Sequence, residues 1–99
     1  MIQDSRNERY LNVGDRLVRR GKFKTAVAVY SRYADACVAE RCLHHAREVV
    51  ERDPVGALRA LAKVEELVGP TGEARRITAT AYTKLGHPEI ADRYRRASN

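Results

Sequence analysis

Few residues in this 99-residue chain have side chains suited to chemistry. Cys42, His44 and His45 form the densest group of metal-ligating types, and His87 is the remaining histidine. On a helix, Cys42 and His45 would lie one turn apart on a shared face. A zinc site needs three or four converging protein ligands, and only His87 is left to join them. We therefore expect no metal and no cofactor here, but a small core thiol beside imidazoles at the surface. Glu65 and Glu66 are adjacent, so on a helix they diverge and cannot form a facing carboxylate pair for acid–base work. No Gly-rich phosphate loop, GxSxG or HExxH is present. These absences point away from an enzyme.

What the side chains offer instead is charge and apolar surface. The net charge is +6, unevenly distributed. Residues 1–24 carry seven basic and three acidic groups, residues 25–74 six and eight, and residues 75–99 six and two. The ends are basic and the middle is mildly acidic. Arg16, Arg19, Arg20, Lys22 and Lys24 gather around one turn, and Arg75, Arg76, Arg93, Arg95 and Arg96 crowd the last third. Such patches attract phosphates by counterion release, which makes a nucleic-acid-binding or regulatory protein the competing class. The aromatics stand at core spacing and offer no stacking platform for bases, so solvated faces or a rim for an acidic protein partner is the better use of the charge.

Size and composition narrow the frame. Ninety-nine residues suit one domain, 1–99. No apolar run approaches the roughly 20 residues of a membrane span, and MIQDSRNERY shows no apolar signal region. Cys37 and Cys42 fall on different faces of a helix, so no bridge between them is expected. Reduced thiols fit a cytoplasmic location.

The elements that position these groups are helices. Ser5 and Glu8 have capping-box spacing, which starts a helix near Arg6 that runs to about Arg20. Gly21 ends it by accepting the left-handed conformation. A second helix starts near Phe23 with Phe23, Ala26, Val27, Tyr30, Tyr33, Ala34 and Cys37 on its apolar face. Neither Gly nor Pro occurs between Lys22 and Asp53. Because Val38-Ala39 interrupts the stripe and Cys42, Leu43, Ala46, Val49 and Val50 begin a new one, a break is predicted near Cys37–Arg41. Asp53-Pro54 restarts the helix as cap and first residue, with Val55, Leu58, Leu61, Ala62, Val64, Leu67 and Val68 apolar. After Gly69-Pro70, Thr71 caps a helix carrying Ala74, Ile77, Thr78, Ala81, Tyr82 and Leu85. Gly86 ends that helix, Pro88 opens the last, and the RRASN tail is expected to fray.

The turns repeat. GKFKTAVAVY (21–30) and GHPEIADRYR (86–95) both place Ala five residues after Gly, and DPVGALRAL (53–61) has the matching Ala and Leu. Ala26, Ala57 and Ala91 stand 31 and 34 residues apart, a helical-repeat period. On these residues the chain resembles the tetratricopeptide repeat (TPR). Tyr10, Gly14, Leu17, Gly21, Phe23, Ala26 and Tyr30 match the first unit's key positions. Ala79, Tyr82, Gly86 and Ala91 match in the third, and the middle matches at Ala57, Leu61 and Pro70. Thr78 and Arg75 depart from the pattern.

The resemblance implies an all-α fold of antiparallel helical hairpins, stacked as a short right-handed solenoid of about three repeats. Its first helices would line a groove for a partner's peptide or helix. The groove candidates are then Leu11, Asp15, Val18 and Arg19 in the first unit. Cys42, Ala46, Val49 and Val50 follow in the middle, and Arg76, Thr80, Thr83 and Lys84 in the third. Leu11 and Asp15 stand where chaperone-tail-binding members have Lys and Asn, so that ligand is rejected. Small proteins of this type also act as secretion chaperones or adaptors. Without a polar capping helix an open apolar face remains, which suits an obligate partner or self-association into a homo-oligomer.

Overall fold

Helix ends in this chain are set by local chemistry, and the two glycine turns show how. In the computed structural model, which describes residues 5–97, Gly21 and Gly86 have φ of 75° and 83°. At each, two amides turn back onto the preceding helix. Gly21 N–H bonds Val18 O at 3.0 Å and Lys22 N–H bonds Leu17 O at 2.9 Å; Gly86 N–H bonds Thr83 O at 3.1 Å and His87 N–H bonds Tyr82 O at 2.8 Å. This is the Schellman arrangement, which satisfies carbonyls a helix end would leave open and requires a residue at ease with positive φ.

The described residues form five helices and no strand. They are α1 (Ser5–Arg19), α2 (Phe23–Val49), α3 (Pro54–Val68), α4 (Gly72–Lys84) and α5 (Pro88–Ala97). The predicted caps form where expected. Asp53 Oδ1 accepts from Gly56 N–H at 3.0 Å with Pro54 opening α3, and Thr71 Oγ1 accepts from Ala74 N–H at 3.1 Å at the start of α4. Ser5, expected as a cap, is the first residue of α1, and its side chain and the end of the RRASN tail lie outside the described residues.

One boundary differs. No break occurs near Cys37–Arg41, and α2 is a single helix of 27 residues. The segment holds no Gly or Pro and is rich in Ala, Glu and Arg, so nothing in its backbone chemistry stops propagation.

Contacts cluster into two compact units, Met1–Cys37 and Val38–Asn99. Within the first, α1 lies against the start of α2. Gly14 and Ala26 are buried there. A Cβ at position 14 would come within 2.8 Å of three ring carbons of Tyr30, so the absence of a side chain is what lets that ring sit across α1.

The second unit holds the larger core. Ala39, Ala46, Val49 and Val50 pack with Ala57, Leu61 and Val64 of α3 and with Ala74, Ile77 and Ala81 of α4. Helix α4 also packs on α5, where Ala79 and Ala91 are fully buried and the Tyr82 and Tyr94 rings stack 5.7 Å apart. Two surface ion pairs, Arg47–Glu73 and Lys84–Glu51, tie α4 to the segment around the end of α2. Such exposed pairs contribute about 0–1 kcal/mol each, so the apolar core holds this unit together.

Candidate functional site

A groove opens in the second unit between α3, α4 and α5, with a volume of about 260 Å³. Helix α3 contributes Leu58, Leu61, Ala62 and Glu65, which at spacings of three and four share one face. Helix α4 contributes Ala74, Arg75, Thr78 and Tyr82 on the same principle, and Tyr94 closes the far side from α5. Pro70 and Thr71 wall the end where α3 gives way to α4.

The floor is mostly apolar, and its hydroxyls are engaged. Thr71 caps α4, and Thr78 Oγ1 donates to Ala74 O at 2.8 Å. Arg75 is half-buried, and its guanidinium donates to Ala97 O at 2.9 Å, which satisfies a carbonyl at the end of α5. Glu65 stands exposed on the α3 side. The groove therefore sets one cation and one carboxylate around a largely apolar floor.

None of the groove candidates drawn from the sequence lines this cavity. Ala46 and Val49 are 0% and 5% exposed, with Val50 beside them at 7%. They belong to the core against α3 and α4. Cys42 is half-buried and packs against that core. Lys84 is paired with Glu51 at 2.6 Å. Thr80 and Thr83 donate their hydroxyls to Arg76 O and Ala79 O, and Thr83 also accepts from Arg95 at 3.0 Å. Arg76 is exposed on the same helix. In the first unit Leu11 is half-buried, while Val18 and Arg19 are exposed.

Asp15 has a defined structural role. It accepts a hydrogen bond from the Tyr30 hydroxyl at 2.5 Å, closing the hairpin over Gly14. That bond raises the Tyr30 pKa above its ordinary value of 10, with desolvation and the negative charge of Asp15 adding in the same direction. The stabilisation belongs to the neutral phenol. It is complete below the ordinary pKa and is lost as pH rises through the higher folded value. Absorbance at 295 nm should show the Tyr30 part of the tyrosine titration moving to lower pH in Asp15→Ala. An identical titration in both proteins would contradict the bond.

The metal-ligating types do not assemble. His44 and His45 are exposed, His44 lies 3.9 Å from Glu48, and the His87 ring meets Tyr82 edge-on at 6.4 Å. Among the described residues no three His, Cys, Asp or Glu side chains converge as a metal site would need. Cys37 and Cys42 are free thiols. Arg16, Arg19, Arg20, Lys22 and Lys24 are all exposed around the α1–α2 turn. No described helix is long and apolar enough to cross a membrane.

Leu58, Leu61, Ala62, Ala74, Thr78 and Tyr82 of the groove are visible in the sequence as apolar-face positions at helical spacing, whereas Glu65 and Arg75 are not. A cleft floor and a core face follow the same period, so periodicity alone does not separate them. Comparison with protein-family models, with curated protein sequences and with solved structures returned no match.

Proposed function

We propose that this chain is a non-enzymatic protein–protein interaction module built from TPR-like hairpins, and that the α3–α4–α5 groove holds an apolar helix or peptide segment of its partner. The observation that carries this reading is the groove itself: an apolar floor of about 260 Å³ with Arg75 and Glu65 as its charged groups. Ligand sites are commonly concave, mostly apolar and marked by a few polar groups. The hairpin reading rests on the matched turns. Gly21 and Gly86 each follow a buried small residue, Gly14 or Ala79, by seven positions and precede a buried alanine, Ala26 or Ala91, by five. The partner would place apolar side chains on the floor and an acidic group towards Arg75, in the mode of a helix in a groove. An adaptor or chaperone role follows from that mode by analogy with the fold.

The test uses a displayed random-peptide library selected on the chain. Enriched peptides should be apolar with an acidic residue. Ala62→Arg places a long cation into the groove from an exposed position and should weaken their binding at least ~10-fold, about 1.4 kcal/mol. Val68→Arg, on an exposed position of the same helix that does not line the groove, should leave it unchanged. No enrichment, or binding indifferent to Ala62→Arg, would remove the groove from the proposal.

A further inference from the structure

The turn end of the α1–α2 hairpin carries apolar side chains set among charges of one sign. The Asp15–Tyr30 hydrogen bond joins the two helices along one side of the hairpin. Val18 follows Asp15 by three residues, and Val27 and Phe23 precede Tyr30 by three and seven. Those spacings keep all three on that side, toward the turn. They are open to solvent: Val18 is 40% exposed, Phe23 62% and Val27 63%. All belong to the first compact unit. Grouped apolar side chains at the surface mark a contact site.

The charge around the patch selects what covers it. From Arg16 to Ala34 the chain has six basic residues and no acidic one. Arg16, Arg19, Arg20, Lys22, Lys24 and Arg32 are all exposed, and none is in an ion pair among the described residues. A second copy docked here would bring like charge against like. A nucleic-acid backbone would meet the cations but leave Val18 and Val27 without a role, because bases are held by stacking on rings. The surface of an anionic bilayer uses both features. Its headgroups attract Lys and Arg, and the acyl boundary takes up apolar side chains between them. The long stems of Lys and Arg keep the charges at headgroup level while the patch goes deeper.

We infer that the chain docks on an anionic phospholipid bilayer through this end of the hairpin, with Val18, Phe23 and Val27 entering the interface and Arg19, Lys22 and Lys24 against the headgroups. The inference is separate from the groove, which lies in the second unit.

Phe23→Trp supplies the test, because the chain has no tryptophan of its own. With vesicles of phosphatidylcholine and about one-third phosphatidylserine, its emission should move to shorter wavelength and be quenched by brominated acyl chains. Vesicles of phosphatidylcholine alone should do neither. Binding of the otherwise wild-type chain to the anionic vesicles, read by sedimentation, should weaken at least ~5-fold in Val27→Ser. It should weaken at least ~10-fold in the double variant Lys22→Glu, Lys24→Glu. Helicity by circular dichroism should be unchanged in both, since the three positions are exposed. Arg93→Glu with Arg96→Glu makes the same charge change at exposed positions of the second unit and should have the smaller effect. A chain that does not sediment with anionic vesicles at low ionic strength overturns the proposal and leaves the patch to an acidic protein. Sedimentation without quenching overturns it, because charge alone would then hold the chain. An equal loss in the second-unit variant overturns it too, as does tighter binding to a DNA duplex that is indifferent to Val27→Ser, which would assign the cations to nucleic acid.

Discussion

Leu61→Ala should remove about 2–5 kcal/mol from the second unit, the usual cost of truncating a buried leucine whose cavity cannot fully collapse. Leu61 is 4% exposed and packs in one cluster with Ala46 and Val49 of α2 and with Ala74 and Ile77 of α4. Half of that buried cluster is alanine. Short side chains cannot swing into the space a lost isobutyl group leaves, which places the expected loss toward the upper part of that range. A unit of about sixty residues has roughly 3–9 kcal/mol in total, so the variant should be largely unfolded or melt at least ~10 °C lower. Urea unfolding followed by circular dichroism measures this directly. Val68→Ala, at a 43%-exposed position on the same helix, should stay within about 0.5 kcal/mol of wild type. A loss below about 1 kcal/mol for Leu61→Ala would mean that α3 is not gripped between its neighbours as described.

The same residue shows why the candidate site was harder to foresee than the fold. Leu61 belongs to the core and also lines the groove. On α3 the two surfaces share one apolar arc, and only the spacing of neighbouring helices decides where the arc meets a void. The turns and caps were legible because each is decided within a few residues: Gly21, Gly86, Asp53-Pro54 and Thr71 each satisfy backbone groups of their own helix end. The buried alanines were legible for the related reason that close approach requires small side chains. The continuity of α2 was not. Its buried positions change phase along its length, with Ala26 before Cys37 and Ala39, Ala46 and Val49 after it. In a sequence, a change of phase within one helix looks the same as a new helix beginning. The outward placement of Phe23 and Val27 was missed for a similar reason, because an apolar side chain signals burial without saying whether the cover comes from the same chain.

The second large effect concerns the alanines on which the hairpins close. Ala26 is 1% exposed and Ala91 is 0% exposed, so leucine at either position must drive three further carbons into filled space. Overpacking of this kind costs about 1–3 kcal/mol through displaced side chains and shifted backbone. The facing elements cannot yield cheaply. In the first unit Gly14 already has the Tyr30 ring against it, and Tyr30 is held by Asp15. In the second, Ala79 is fully buried and Tyr82 is stacked on Tyr94. Ala28→Leu, at an exposed position of α2, should cost less than about 0.5 kcal/mol and so separates packing from helix propensity. Hydrogen exchange should locate each loss. Ala26→Leu should weaken protection of amides within residues 5–37, and Ala91→Leu of those around α4 and α5. Protection and melting unchanged in Ala26→Leu would mean that α1 and α2 are not in close contact at that alanine. The resemblance to repeat hairpins, which depends on small residues letting two helices meet, would then have no physical basis in the first unit.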